Sequence, residues 1–139
     1  MDFSEQIQEI TTHVNGITRQ AATKHNISFA QAQFLLRVPI EGISISELAK
    51  LLGIDISTMS RNVNKLELLQ LIIRERDAED ARTFNISLTP SGIELVNLLL
   101  SEIDTCATEV LSTIPLDIQK RIGDVLEQLN WAFTQYREK

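Results

Sequence analysis

The chain has 139 residues, of which 43% are hydrophobic but only 5% aromatic, and its 13 Lys/Arg against 19 Asp/Glu leave a formal net charge of −6. That length suits one domain whose core needs neither disulfide nor metal; the single cysteine, Cys106, excludes an intrachain disulfide, and no Cys/His cluster has the spacing of a structural zinc site. The apolar runs are too short to cross a bilayer, and Asp2, Phe3, Ser4 and Glu5 lack the basic and apolar regions of a secretory signal, so a cytoplasmic chain without membrane contact is expected.

Phe3, Ile7, Ile10, Val14, Ile17 and Ala21 alternate by four and three residues, which lays one apolar seam along a first helix. Asn26 interrupts it. Ser28 and Gln31 have the spacing of a reciprocal capping box, which predicts a second helix from about Ser28 to Val38, ended by Pro39 and Gly42. Ser44 and Glu47 repeat that spacing before a short helix through Leu52. Gly53 supplies a left-handed turn, and Asp55 caps a fourth helix running to about Leu69. Ile72 to Arg76 and Thr83 to Leu88 flank the polar loop Asp77 to Arg82; with Phe84, Ile86 and Leu88 at strand period, they predict a hairpin. Thr89 and Pro90 open a long helix that carries Ile93, Val96, Leu100, Ile103, Ala107 and Val110 at helical spacing. Beyond the break at Pro115, Ile118, Ile122, Val125, Leu129, Phe133 and Tyr136 define a last amphipathic helix.

The expected fold class is therefore mainly α with a small β-hairpin wing, a winged helix-turn-helix. Residues 1–27 and 112–139 are expected to be dimerisation helices, because the end helices carry more apolar face than a short chain can bury. Residues 28–92 are read as the DNA-binding domain, with the wing at about 72–88, and residues 89–111 as a long connecting helix.

Within residues 46–66, small Ala49 allows two helices to approach closely and Gly53 makes the turn between them. At 100° per residue, Met59, Val63 and Leu66 point to one side of the second of these helices. Ser57, Arg61 and Asn64 point to the other, flanked by Thr58, Ser60 and Lys65. Small hydroxyls near a helix start approach phosphates or base edges, an arginine can bond guanine O6 and N7, and an asparagine can bond adenine N6 and N7. Any solvated helix also shows a polar outward face; the hairpin directly after it is what favours a reading helix followed by a wing. Arg82, at the wing's edge, either enters an adjacent minor groove or is a solvated turn residue paired to Asp77 or Asp80. Overall charge is unhelpful to polyanion binding, but from Ser44 to Leu88 six Lys/Arg meet seven Asp/Glu, a net of −1, so the other −5 lies elsewhere.

At this point the chain resembles the MarR family of bacterial regulators over nearly its whole length. The resemblance is carried by Ser46-Glu-Leu-Ala-Lys-Leu-Leu-Gly53, Ser57-Thr-Met-Ser-Arg61, Lys65-Leu-Glu67, Arg74, Asp80-Ala-Arg82 and Leu88-Thr-Pro-Ser-Gly92. It implies a homodimer with terminal helices as the dimer part, recognition helices in successive major grooves of double-stranded DNA and wings in minor grooves. Asp80 and Arg82 would be the wing signature pair, and a small-molecule effector pocket often accompanies the arrangement. The chain departs from the family pattern at Gln70, where glycine is usual, which predicts a differently shaped or less relaxed turn. The wing loop also carries few bases, and Cys106 lies in the long fifth helix rather than near the N-terminus, where oxidation-sensing members carry theirs; it is read as a small packed residue.

An enzyme is not expected, since neither His13 nor His25 has a triad or ligand set around it, and no metal or cofactor is implied. Both histidines are read as surface or interface residues. The alternative function is a winged-helix protein-interaction module, which the acidic balance would suit and for which outward-facing Leu68 is a hint. DNA binding requires Arg61, Lys65 and Arg82 on one surface, whereas an interaction module would expose an apolar patch there.

Overall fold

The computed structural model describes residues 1–139. The first helix, α1 (Phe3–Lys24), starts at a capping box in which the Asp2 carboxylate accepts the Glu5 N–H and the Glu5 carboxylate accepts the Asp2 N–H. It ends at Asn26, whose φ of 60° places it in the left-handed region while the Ile27 N–H reaches back to the Ala22 carbonyl. The second, α2 (Phe29–Leu36), has both halves of the expected Ser28/Gln31 box. It stops two residues short of Val38, because the residue before a proline is sterically barred from the helical region and Val38 precedes Pro39.

A short strand, β1 (Ile43–Ser44), leads directly into α3 (Ile45–Leu52). Ser44 accepts the Glu47 N–H at 3.1 Å, but the return bond of the expected capping box is not made. Instead, residue 44 is enlisted in a sheet, paired with Asn85. The helix-turn-helix continues through Gly53, at φ 66°, into α4 (Ile56–Leu68), and then β2 (Ile72–Arg76) and β3 (Phe84–Leu88) form the hairpin. The sheet is three-stranded and antiparallel in the order β1-β3-β2, one strand more than the expected hairpin. Ile43 lies opposite Ile86, and Ile72 opposite Leu88.

The helix α5 (Pro90–Ser112) follows, then α6 (Leu116–Arg137). The chain divides into two compact units, residues 1–103 and 104–139. In the first unit, Phe34, Leu35, Leu48, Met59, Val63, Leu66 and Ile86 are fully buried and form one core under α3, α4 and the sheet. Ala21, Ala22, Ala32 and Leu99 form a second cluster, where three alanines let α1 and α2 approach closely and Leu99 of α5 packs against them. Beside it, His25 Nε2 lies 2.9 Å from Glu102 Oε1, and Lys24 Nζ is 3.2 Å from the same oxygen. The bond to His25 is the main reason the Glu102 carboxyl sits below its ordinary pKa. In the second unit, Gln119 Nε2 donates to the Leu111 and Ile114 carbonyls, tying down the turn ahead of α6. No residue of α6 is buried; Leu116 is 81% exposed and Trp131 67%. No helix is long and apolar enough to cross a membrane.

Candidate nucleic-acid interface

The helix α4 is built with two faces. Met59, Val63 and Leu66 are fully buried, and opposite them Ser57, Arg61, Asn64 and Lys65 are exposed, with Thr58 and Ser60 half-buried between. Asp55 fixes the start: its Oδ1 accepts the Thr58 N–H and its Oδ2 accepts the Thr58 hydroxyl, both at 2.9 Å. The Thr58 N–H, followed by the hydroxyl, holds the Asp55 carboxyl below its ordinary range. Thr58 is therefore committed to the cap, whereas the side chains of Arg61, Asn64 and Lys65 have no partner in the chain. An unpaired arginine, amide and lysine on one exposed face are free to meet an anion or a base edge.

The bases of the hairpin are placed differently. Arg74 Nη2 is 3.0 Å from Glu67 Oε1, and its guanidinium lies 5.2 Å from the centre of the Phe84 ring. It ties α4 to β2, with its charge answered within the fold. Arg76, two residues on and so on the same face of the strand, lies 5.5 Å from that ring, and its Nη1 donates to the Ala81 carbonyl at 2.8 Å. Sequence reasoning passed over Arg76, although its period-two spacing from Arg74 was the available signal.

The wing loop is shaped by two aspartates that each accept an N–H two residues ahead, Asp77 from Glu79 and Asp80 from Arg82. Arg82 also donates through Nε to Asp80 Oδ1 at 3.2 Å, which settles the open choice of partner in favour of Asp80 rather than Asp77. This side-chain bond is the first cause of the lowered Asp80 pKa. The Arg82 side chain is nonetheless 91% exposed, held by one edge with the rest of its guanidinium in solvent.

At the far end of α4, Leu68 is 84% exposed, with Leu69 and Ile73 about half exposed beside the turn. Gln70 there has a φ of 58°, the left-handed value glycine favours. Of the two expected outcomes, the turn keeps the glycine-like shape and is the less relaxed one, because a residue with a Cβ is held in the left-handed conformation.

A winged helix-turn-helix is the class this architecture defines, and comparisons with known proteins narrow it. A model described as "MarR family" matches residues 25–83, from the end of α1 through the wing loop. The uncharacterized HTH-type transcriptional regulator YdgJ of Bacillus subtilis (strain 168) is 26% identical over 132 residues, covering 91% of this chain and 80% of that protein. A crystal structure of MarR matches with a TM-score of 0.86 at 24% identity, over 99% of this chain and 95% of that one. The S. aureus MepR–DNA complex matches with a TM-score of 0.73 at 25% identity, over 95% and 98%. The helix-turn-helix and wing thus match the MarR family model, and the chain shares the fold of MarR over nearly its whole length.

Proposed function

We propose that the chain is a sequence-specific transcription regulator that binds duplex DNA as a homodimer, with α4 as its recognition helix. The observation that carries this reading is the exposed face of α4, where Arg61, Asn64 and Lys65 stand without partners above a fully buried apolar face. The likeness to MepR, solved bound to DNA, supports it. Arg61 and Asn64 are assigned to base edges and Lys65 to phosphate, with Ser57 and Ser60 near the backbone. Thr58 contributes through the cap, Arg82 through the wing, and Arg74 by bracing α4 against β2.

The homodimer is supported by exposed apolar side chains on α1 and α6, including Phe3, Ile10, Val14, Val125, Trp131 and Tyr136. Residues 1–27 and 112–139 are accordingly assigned to dimerisation, 28–92 to DNA binding, and 89–111 to the connection. A two-fold dimer requires a near-palindromic operator with half-site centres about 10–10.5 bp apart or a multiple of that. Repression at that operator, and release by a small-molecule effector, are carried over from the family resemblance.

Selection of bound sequences from random duplexes tests the reading, followed by Arg61→Ala. The expected result is a loss of about 1–3 kcal/mol with relaxed preference at one symmetric position. Equal weakening on selected and random duplexes would make Arg61 a phosphate contact. The exposed Leu68, Leu69 and Ile73 favour the second reading, a protein-interaction module, and failure to select any sequence while a dimer is present would establish it over the first.

A further inference from the structure

The end of the recognition helix is not left to its own turn. Gln70 sits in a backbone conformation that residues with side chains rarely adopt, and two groups from nineteen residues further along the chain hold it there. The Thr89 hydroxyl donates to the Gln70 carbonyl at 2.6 Å, and the Thr89 N–H donates to the Leu71 carbonyl at 3.0 Å. The same hydroxyl accepts the Gly92 N–H at 3.0 Å, so it caps α5 while gripping the turn. Gly92 completes the seat: a Cβ there would overlap the Leu71 carbonyl oxygen. Leu71 itself is buried and reaches back to the Leu66 carbonyl, inside the last turn of α4. The end of α4 and the start of α5 are thereby joined through one hydroxyl, one amide and a contact that only glycine permits.

We propose that Thr89 is a positioning residue for DNA reading: by clamping the Gln70–Leu71 turn to the start of α5, it sets the orientation of α4 and hence the register of Arg61 and Asn64 on base edges. The inference rests on the DNA-binding reading given above. Phosphate contacts tolerate small displacements of a helix, because a lysine or arginine can follow a backbone charge, whereas paired hydrogen bonds to base edges do not. Loosening the clamp therefore lowers discrimination between duplexes more than it lowers general affinity.

Thr89→Asp separates the two duties of this side chain. A carboxylate still accepts the Gly92 N–H and caps α5, but it has no proton to donate to the Gln70 carbonyl. Affinities of the full-length wild type, Thr89→Asp and Thr89→Ser are measured on the selected operator and on a random duplex at one salt concentration, with the thermal unfolding midpoint of each. The expected result is an unchanged operator-to-random ratio for Thr89→Ser and an approximately tenfold lower ratio for Thr89→Asp at a near-wild-type midpoint, about the size of one lost base contact. Where Thr89→Asp does not fold, Thr89→Val, which removes the cap of α5 as well, is measured well below its own midpoint, and its operator-to-random ratio is expected to fall at least as far. A wild type that discriminates, alongside an aspartate or valine variant that discriminates equally well, overturns the positioning role alone. A wild type that binds all duplexes alike overturns the DNA-reading function, and the positioning role with it.

Discussion

The two turns that bound the recognition helix solve one geometric problem with different residues. Before α4, Gly53 at φ 66° lets the Ile54 N–H reach the Ala49 carbonyl; after it, Gln70 at φ 58° lets the Leu71 N–H reach the Leu66 carbonyl. At Gly53 an added Cβ would meet nothing, so the only demand is backbone conformation, and glycine meets it without help. At Gln70 the backbone demand is the same, but the residue opposes it, and the grip of Thr89 on the Gln70 and Leu71 carbonyls holds the turn from outside. A local solution and a tertiary one thus stand thirteen residues of helix apart. The second makes the end of α4 dependent on the start of α5.

The comparison breaks most severely at Gly92, where the tertiary solution is seated. Gly92→Ala drives a methyl group into the Leu71 carbonyl, which is backbone and cannot swing aside. The expected destabilisation is about 3 kcal/mol or more by urea unfolding. A loss below about 1 kcal/mol, the low end for overpacking, would show that α5 can lift off the turn freely and that nothing grips Gln70. Next in size is Gly53→Ala, which keeps the space but imposes the left-handed penalty. Its expected loss is about 1–2 kcal/mol by the same measurement.

These two turns also mark what was legible in the amino-acid order. The caps at Ser28 and Asp55 and the left-handed Gly53 could be read because donor and acceptor lie within about four residues, and the faces of α4 followed from helical spacing alone. At Gln70 the choice between a differently shaped and a less relaxed turn stayed open for the opposite reason: its conformation depends on Thr89, whose contact leaves no local pattern. The short strand at Ile43–Ser44 escaped likewise, since two residues carry no periodicity and their partners are Ile86 and Asn85. At the candidate site, the exposed Arg61, Asn64 and Lys65 were legible. The retention of Arg74 by Glu67 was not, because the chain must turn between them before they meet.

Gln70→Gly sharpens the comparison by making the second turn chemically like the first. Relief of the left-handed penalty, about 1–2 kcal/mol, is partly offset by the extra freedom glycine gives the unfolded chain, about 0.5–1 kcal/mol. The expected outcome is a gain of about 0.5–1 kcal/mol in urea unfolding. A loss instead would mean that the glutamine side chain itself stabilises the turn.

The smallest effect concerns how α4 begins. Asp55 caps the helix by accepting the Thr58 N–H and hydroxyl, and it does so as an anion on the side expected to meet phosphates. Folding lowers its pKa from the ordinary 3.8, so its contribution to stability is fully present above that value and fades as the pH falls through the lower folded-state value. Asp55→Asn keeps an oxygen to accept the Thr58 N–H but has nothing to titrate. Its unfolding midpoint at neutral pH should therefore fall modestly below wild type, while thermal unfolding followed downward from about pH 4 should show a shallower loss of stability. The same change removes a negative charge beside the reading face, so affinity should rise on operator and random duplexes alike. A midpoint unchanged at neutral pH, or an acid dependence that does not change, would show that the charge of Asp55 is not what its cap contributes, and that the two ends of α4 are both held by geometry alone.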